Sequence, residues 1–238
     1  MKKISVVSGG SGGLGMEIAY YLLRAGKDVL ILGRNRDRLK KAARKLSRIT
    51  GSGHLSTLVC NIGDENDIIA TGQFLMENKI VPEYLFNNAG RGLSEKAPAT
   101  TSAMIDSVFE ANLKGMILLT SMILRITPPE QELTIVNIMS TSALTGRENE
   151  TIYCAAKWGA RGYTEALRAE LQGTKRNIIA VYPGGMKTGF YVTADPERDI
   201  SKFMDPAGVA EKIVNAVLDI RKLVITDITI NRKKKEVL

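Results

Sequence analysis

Three polar side chains in the stretch Ser140 to Lys157 (STSALTGRENETIYCAAK) have the types and spacing to move a proton. Tyr153 supplies a phenol, and Lys157 an ammonium four residues later. The run after Thr151 (YCAAKWGARGYTEALRAEL) carries strong helix formers at helical spacing, and on a helix positions i and i+4 share a face. A cation beside a phenol favours phenolate and lowers its pKa from about 10 toward the working range of a general acid. Ser140 stands where the apolar run LTIVNIM ends. A strand end followed by a helix can return its hydroxyl to the same phenol. The set is then a proton donor, the cation that tunes it and a hydroxyl that polarises a carbonyl. By itself a Tyr–Lys pair is common on solvated helix faces, so its meaning depends on the elements around it.

Those elements alternate between short apolar runs and helical segments. Lys3 to Ser8 reads as a buried strand. It runs into Gly9-Gly10-Ser11-Gly12-Gly13-Leu14-Gly15 and then a helix, MEIAYYLLRAG, closed by Gly26. A glycine turn between strand and helix is a phosphate site. The glycines let backbone N–H groups approach an anion, and the helix N-terminus adds its positive dipole end. Both Gly10-x-Gly12-x-x-Gly15 and Gly9-x-x-x-Gly13-x-Gly15 fit. Asp28 to Gly33 is the second strand. Units of this kind usually place an acid about twenty residues past the glycines, where it accepts from the adenosine ribose of NAD. Here Gly33-Arg34-Asn35 hold that place, and a guanidinium there suits the 2′-phosphate of NADP. The bland reading is one more surface arginine beside Arg36 and Arg38.

A basic helix follows from Asn35 to about Ile49. Leu55 to Cys60 is the third strand, leading to Asn61, Ile62 and a helix through Asn78 with Asp64 as its N-cap. Tyr84 to Phe86 lead the fourth strand into Asn87-Asn88-Ala89-Gly90. Two asparagines, a small residue and a glycine suit a strand end that a ligand approaches closely, and would also serve as a plain turn. Thr100 to about Thr127 reads as one long helix with Asn112 on its apolar face, where a buried asparagine needs partners and can hold a kink and a water. Pro128-Pro129 end it. Leu133 to Met139 is strand five, a helix spans about Glu150 to Gln172, and Ile178 to Tyr182 is strand six. Pro183-Gly184-Gly185-Met186-Lys187-Thr188 follow. Residues 188–205 read as an irregular lid, Pro206 opens a last helix (AGVAEKIVNAVLDI), and Leu223 to Ile230 form a final strand. Alternation of this kind calls for a parallel, doubly wound sheet with a crevice at the carboxyl ends of its strands. Every motif above falls at such an end, whereas unrelated surface features would scatter.

The bulk properties agree with one domain over residues 1–238. Apolar residues make up 44% of the chain and aromatics 5%, so the core is aliphatic. Formal net charge is +8. No aromatic interleaving or zinc spacing accompanies it, which argues against nucleic acid. The densest run, Arg232-Lys233-Lys234-Lys235, reads as a solvated tail, and an anionic small molecule would account for some of the remaining charge. Cys60 and Cys154 are too few for a disulfide framework and read as reduced thiols. The N-terminal apolar run is too short for a signal peptide and no run is long enough to span a bilayer. A cytoplasmic location is therefore expected. His54, the single histidine, has no His or Cys neighbour, so no metal site is expected.

With these residues in view, the chain resembles the short-chain dehydrogenase/reductase family over nearly its whole length. The resemblance rests on Ser8-Gly9-x-x-x-Gly13-x-Gly15, Asn87-Asn88-Ala89-Gly90, Asn112-Leu113-Lys114-Gly115, Ser140, Tyr153-x-x-x-Lys157, and Pro183-Gly184 with Thr188. It implies a Rossmann-type α/β domain with a seven-stranded sheet in the order 3-2-1-4-5-6-7 and helices on both faces, usually a homodimer or homotetramer. It implies Tyr153 as general acid/base, Ser140 polarising the carbonyl, Lys157 tuning the tyrosine and holding the nicotinamide ribose, and Asn112 helping to hold a relay water. Cofactor contacts are implied for Gly9, Gly10, Ser11, Gly12, Gly13, Leu14, Gly15, Arg34, Asn61, Ile62, Asn88, Ala89, Gly90, Tyr153, Lys157, Pro183, Gly184, Met186 and Thr188. There are departures. Ser8 replaces a usual threonine, and Asn61 a usual aspartate. The C-terminal TDITINRKKKEVL lacks the Asp-Gly-Gly strand common in ketoacyl reductases, which argues against a standard one. The expected activity is an NADP(H)-dependent oxidoreductase, preferring NADP(H) over NAD(H), that acts on a small carbonyl or secondary alcohol substrate. The opposing expectation is a non-catalytic NADP(H)-binding sensor or scaffold, which would need no proton donor.

Overall fold

The computed structural model describes residues 2–48, 53–219 and 223–233. Seven strands form one parallel sheet: Lys2–Ser8 (β1), Val29–Gly33 (β2), Leu55–Val59 (β3), Ile80–Asn87 (β4), Leu133–Ile138 (β5), Arg176–Pro183 (β6) and Asp227–Ile230 (β7). Their order is β3-β2-β1-β4-β5-β6-β7, as the resemblance implied. Register brings the carboxyl ends level, with Ser8 beside Leu32, Asn87 beside Asn137 and Ile138 beside Val181.

Alternation along the strands divides the core. Val7, Ile31 and Val136 face Gly13–Arg24 (α1), Arg36–Leu46 (α2) and Pro206–Leu218 (α8). Ile4, Val6, Leu30 and Ile135 face Glu65–Glu77 (α3), Gly115–Ile126 (α5) and Thr151–Glu170 (α6). Successive side chains of a strand point to opposite faces, so strands this apolar must be covered on both. The helix starts follow their caps. Asn35 accepts from Arg38 N at 2.9 Å, Asp64 from Asn66 N at 2.8 Å and Asp205 from Ala207 N at 3.1 Å ahead of Pro206. Gly26, at φ 77°, turns the chain out of α1.

Several boundaries differ from expectation. The long helix is not continuous. Ser102–Phe109 (α4) meets a π-helical turn, Glu110–Lys114, before α5 begins. Asn112 is the physical reason: its amide donates to Val108 O at 2.9 Å and Arg91 O at 2.7 Å, and so widens the helical ladder. The span Ser102–Ile126 is also long and apolar enough to cross a bilayer by length and composition, contrary to the expectation that no run is. Residues from it nevertheless fill the core beneath the sheet, among them Leu119 and Ile123. β4 starts at Ile80, before Pro82, because a register irregularity at Ile4/Ser5 accommodates the proline. β7 starts at Asp227, where pairing with Ala180 begins, and leaves Leu223 and Val224 exposed. Ile49 and Ile220, the expected ends of two helices, lie outside the described residues, as do Lys234 and Lys235 of the basic run.

Candidate active site

The glycine turn is shaped by contacts that exclude side chains. Gly9 and Gly13 have φ of 66° and 51°, a left-handed backbone that favours glycine. A Cβ on Gly9 would lie 2.9 Å from the Ala89 Cα, and one on Gly15 would collide with Asn88 Nδ2 and lie 2.5 Å from the Gly9 carbonyl oxygen. Gly12 faces open space, with no atom within 4 Å of a Cβ built there. The turn therefore stays open at its crest, ahead of the N-terminus of α1, and fits a dinucleotide phosphate. Ser8 holds the turn to the end of β4. Its hydroxyl donates to Phe86 O at 3.3 Å and accepts from Asn88 N at 3.0 Å and Ala89 N at 3.1 Å. The serine at a usual threonine position thus keeps the tie that a hydroxyl makes there.

Among the expected cofactor residues, several act through the cradle's architecture. Asn88 donates to Ser8 O at 3.0 Å, so its amide braces the turn. Leu14 and Ile62 are buried core residues. Asn61 N donates to Asp67 at 2.8 Å while its own side chain accepts from Gly63 N at 3.4 Å. A Cβ on Gly90 would meet Asn112 Oδ1 at 2.7 Å and Lys157 Nζ at 3.6 Å, so the end of β4 abuts the expected catalytic groups. Thr188 flanks Gly13, Met186 bridges to Met204, and Pro183 ends β6 beside Ile230. Arg34 is exposed just past β2 and makes no hydrogen bond or ion pair among the described residues. Asn87 points the other way, into the core. Its amide donates to Thr120 Oγ1 and Asn137 Oδ1, each at 2.8 Å.

Ser140, Tyr153 and Lys157 converge past the end of β5. Ser140 caps the short turn Thr141–Ala143 by accepting from Ser142 N at 3.1 Å. Tyr153 lies in the first turn of α6 and is buried, as is Lys157 one turn on. The ammonium donates to the Ile138 carbonyl at 3.2 Å and stands 5.7 Å from the centroid of the Tyr153 ring. The net shift of the phenol is opposite to the one expected from sequence. Burial pushes the phenol well above its ordinary range, and the Ser140 hydroxyl beside it only partly opposes this. Burial also pushes the ammonium down to about 8. The physical reason is shared: both groups leave water, and desolvation disfavours whichever form is charged.

Asn112 pairs with the backbone of Arg91 in both directions, accepting from its N at 3.3 Å and donating to its carbonyl. It fixes the loop beyond β4 against the π-helical turn.

A pocket of about 210 Å³ opens over Ser140 and Tyr153. Residues 188–205 cover it and are less irregular than expected. They contain a short helix, Phe190–Ala194 (α7), tied down by Ser94 N donating to Ala194 O at 2.9 Å and Met204 N donating to Gly185 O at 3.0 Å. Phe190 packs edge-on against Tyr153, with centroids 5.7 Å apart. Glu150 is not among the expected site residues. It accepts from Ser142 Oγ at 3.0 Å, and Ser142 accepts from Ser140 Oγ at 3.2 Å. Its place three residues before Tyr153, at the start of the same helix, was the available signal.

With this geometry in hand, comparison with known proteins places the chain. The family model described as "short chain dehydrogenase" matches residues 3–199. The chain is 29% identical over 208 residues to a 3-oxoacyl-[acyl-carrier-protein] reductase of Bos taurus, covering 87% of this chain and 85% of that one. A solved short-chain dehydrogenase/reductase from Vibrio parahaemolyticus superposes with a TM-score of 0.83 at 28% identity, covering 97% of this chain and all of that one. The fold is also that of an alcohol dehydrogenase from the archaeon Thermococcus sibiricus, solved with 5-hydroxy-NADP, at a TM-score of 0.88 and 19% identity over 98% of this chain and 100% of that one. On the match across most of its length, this chain belongs to the short-chain dehydrogenase family, oxidoreductases that interconvert CH–OH and C=O groups.

Proposed function

We propose that the chain is an NADP(H)-dependent carbonyl reductase or secondary-alcohol dehydrogenase forming one dinucleotide-binding domain, with residues 188–205 closing over the substrate. The observation that carries this reading is the burial of Tyr153 and Lys157 side by side past β5, next to Ser140 and to a glycine turn that stays open at its crest. A scaffold or sensor gains nothing from burying an ammonium at a cost. When bound, the nicotinamide cofactor supplies or accepts the hydride.

The protein's own residues do the remainder. The glycine turn and the start of α1 hold phosphate, and Arg34 meets a 2′-phosphate. Ser140 donates to the substrate oxygen once its proton turns from Ser142. Tyr153, whose raised pKa keeps it protonated at neutral pH, holds the proton that a reduced carbonyl oxygen receives. Lys157 remains charged below about pH 8 and favours the tyrosinate left behind. Phe190 and the 188–205 segment keep water from the reacting carbon. We take the protein to work in the cytoplasm as a homodimer or homotetramer, with neither nucleic acid nor membrane as partner.

The experiment is NADPH oxidation with a broad panel of ketones, diketones and aldehydes, run beside calorimetric NADPH titration. Turnover of some carbonyls supports the enzyme. Tight NADPH binding with no turnover across the panel supports the sensor.

A further inference from the structure

The pocket over Ser140 and Tyr153 has a polarity that runs along its length. An edge-to-face chain of rings leads away from the phenol. Tyr153 meets Phe190 at 5.7 Å, Phe190 meets Tyr191 at 5.3 Å, and Tyr191 meets Phe203 at 5.1 Å between centroids. The Arg232 guanidinium lies over the last ring, 5.7 Å from its centroid. At this end its Nη1 donates to Lys202 O at 3.4 Å.

Charge is unevenly compensated along this wall. Three arginines line the pocket, Arg147, Arg198 and Arg232, against two carboxylates, Glu150 and Asp195. Arg198 is shared by both acids, at 3.4 Å to each. Arg147 donates to the neutral Thr141 hydroxyl at 2.8 Å. Among the described residues, neither Arg147 nor Arg232 has an acid partner. One positive charge is left over, which a single carboxylate would balance. Glu150 stands near the reacting end, one hydroxyl away from Ser140. Its negative charge, which Arg198 shares with Asp195 and so offsets only in part, disfavours an anion placed next to the carbonyl carbon.

We propose that the natural substrate is an oxo acid, or the matching hydroxy acid, whose carboxylate is separated from the reacting carbonyl by an apolar body. The carbonyl meets Ser140 and Tyr153, the apolar body lies along Phe190, Tyr191 and Phe203, and the carboxylate reaches Arg232, with Arg147 adding to the positive field. This rests on the reading of the site as a carbonyl reductase. The driving interactions are a charge-assisted contact at the rim and apolar burial along the wall.

The test uses phenylglyoxylate, 4-oxo-4-phenylbutanoate and 6-oxo-6-phenylhexanoate, each beside its methyl ester. Binding to the NADP⁺-saturated protein is measured by calorimetry, and reduction is measured separately with NADPH. At least one of the two longer acids should bind the wild type about tenfold more tightly than its ester, a ratio that one charge-assisted contact supports. Arg232→Gln should bring that ratio to within about threefold of one, and phenylglyoxylate should show no such advantage over its ester. Esters that bind as tightly as the acids, an advantage unchanged in Arg232→Gln, a preference for phenylglyoxylate, or no binding by any acid would each overturn the proposal. Failure of every acid and ester to be reduced, with the binding preference intact, would instead count against the carbonyl reductase reading.

Discussion

Replacing Lys157 by methionine should raise the stability of this protein at neutral pH while destroying its proposed activity. The ammonium is buried, and burial lowers its pKa from 10.5 to about 8. At roughly 1.4 kcal/mol per pH unit, that fall corresponds to about 3 kcal/mol of destabilisation when both the folded and unfolded chains carry the proton. Methionine fills a similar volume without the charge. It forfeits the hydrogen bond to the Ile138 carbonyl, a charge-assisted contact worth about 2 kcal/mol. The balance is a gain of about 1 kcal/mol at pH 7, or about 2–4 °C in Tm for a chain of this size. The sign depends on pH. The burden is full below about pH 8, fades as pH rises from about 8 toward 10.5, and is gone once both states are neutral. The advantage of Lys157→Met should therefore shrink and reverse over that window. Urea unfolding of both proteins at pH 6.5, 7.5, 8.5 and 9.5 measures it. A variant less stable than wild type at pH 7, or a difference that does not move with pH, would refute the claim that the ammonium is held in the protein at a cost.

Other consequences can be checked in the same preparations. Gly15→Ala should weaken NADPH binding by about tenfold or more and lower stability by about 1–3 kcal/mol, seen by calorimetry and unfolding, because the new Cβ lies 2.5 Å from the Gly9 carbonyl oxygen in a packed turn. Arg34→Ala should cut the ratio of kcat/KM for NADPH over NADH by about tenfold or more, since a guanidinium–phosphate contact is worth roughly 1.5–3 kcal/mol; an unchanged ratio would mean that Arg34 only faces solvent. For reduction, kcat/KM for NADPH should fall as pH rises through about 8, where Lys157 in the free enzyme loses its proton, while Tyr153 stays protonated across the same range. A flat profile from pH 7 to 9 would contradict the role given to the ammonium.

Much of the fold is legible in the sequence because its signals are local. Glycines at Gly9 and Gly13 sit where the backbone turns left-handed, Asp64 and Pro206 mark helix starts, and apolar runs such as VLIL mark strands buried on both faces. The carboxyl-end rule then brings Ser8, Gly33, Asn87 and Ser140 to one edge from the order of the elements alone. What is not legible depends on partners distant in sequence. The π-helical turn exists because Asn112 finds the Arg91 carbonyl, a contact with a loop whose path no periodicity records. The sign of the Tyr153 shift is not legible, because spacing reports that Lys157 is near, but not that both groups are buried or that the ammonium is engaged by Ile138. Arg147, Arg198 and Arg232 come from three separate segments and meet only where the 188–205 segment folds back on β6 and the residues after β7. Each alone looks like an ordinary surface arginine on a basic chain.

The central claim is that the Tyr153 phenol delivers the proton in carbonyl reduction. Its most direct test is Tyr153→Phe, which removes the phenol oxygen and little packing. Single-turnover reduction with NADPH should slow by about 10²–10⁴-fold, while NADPH affinity by calorimetry stays within about threefold of wild type. A rate within threefold of wild type would contradict the account.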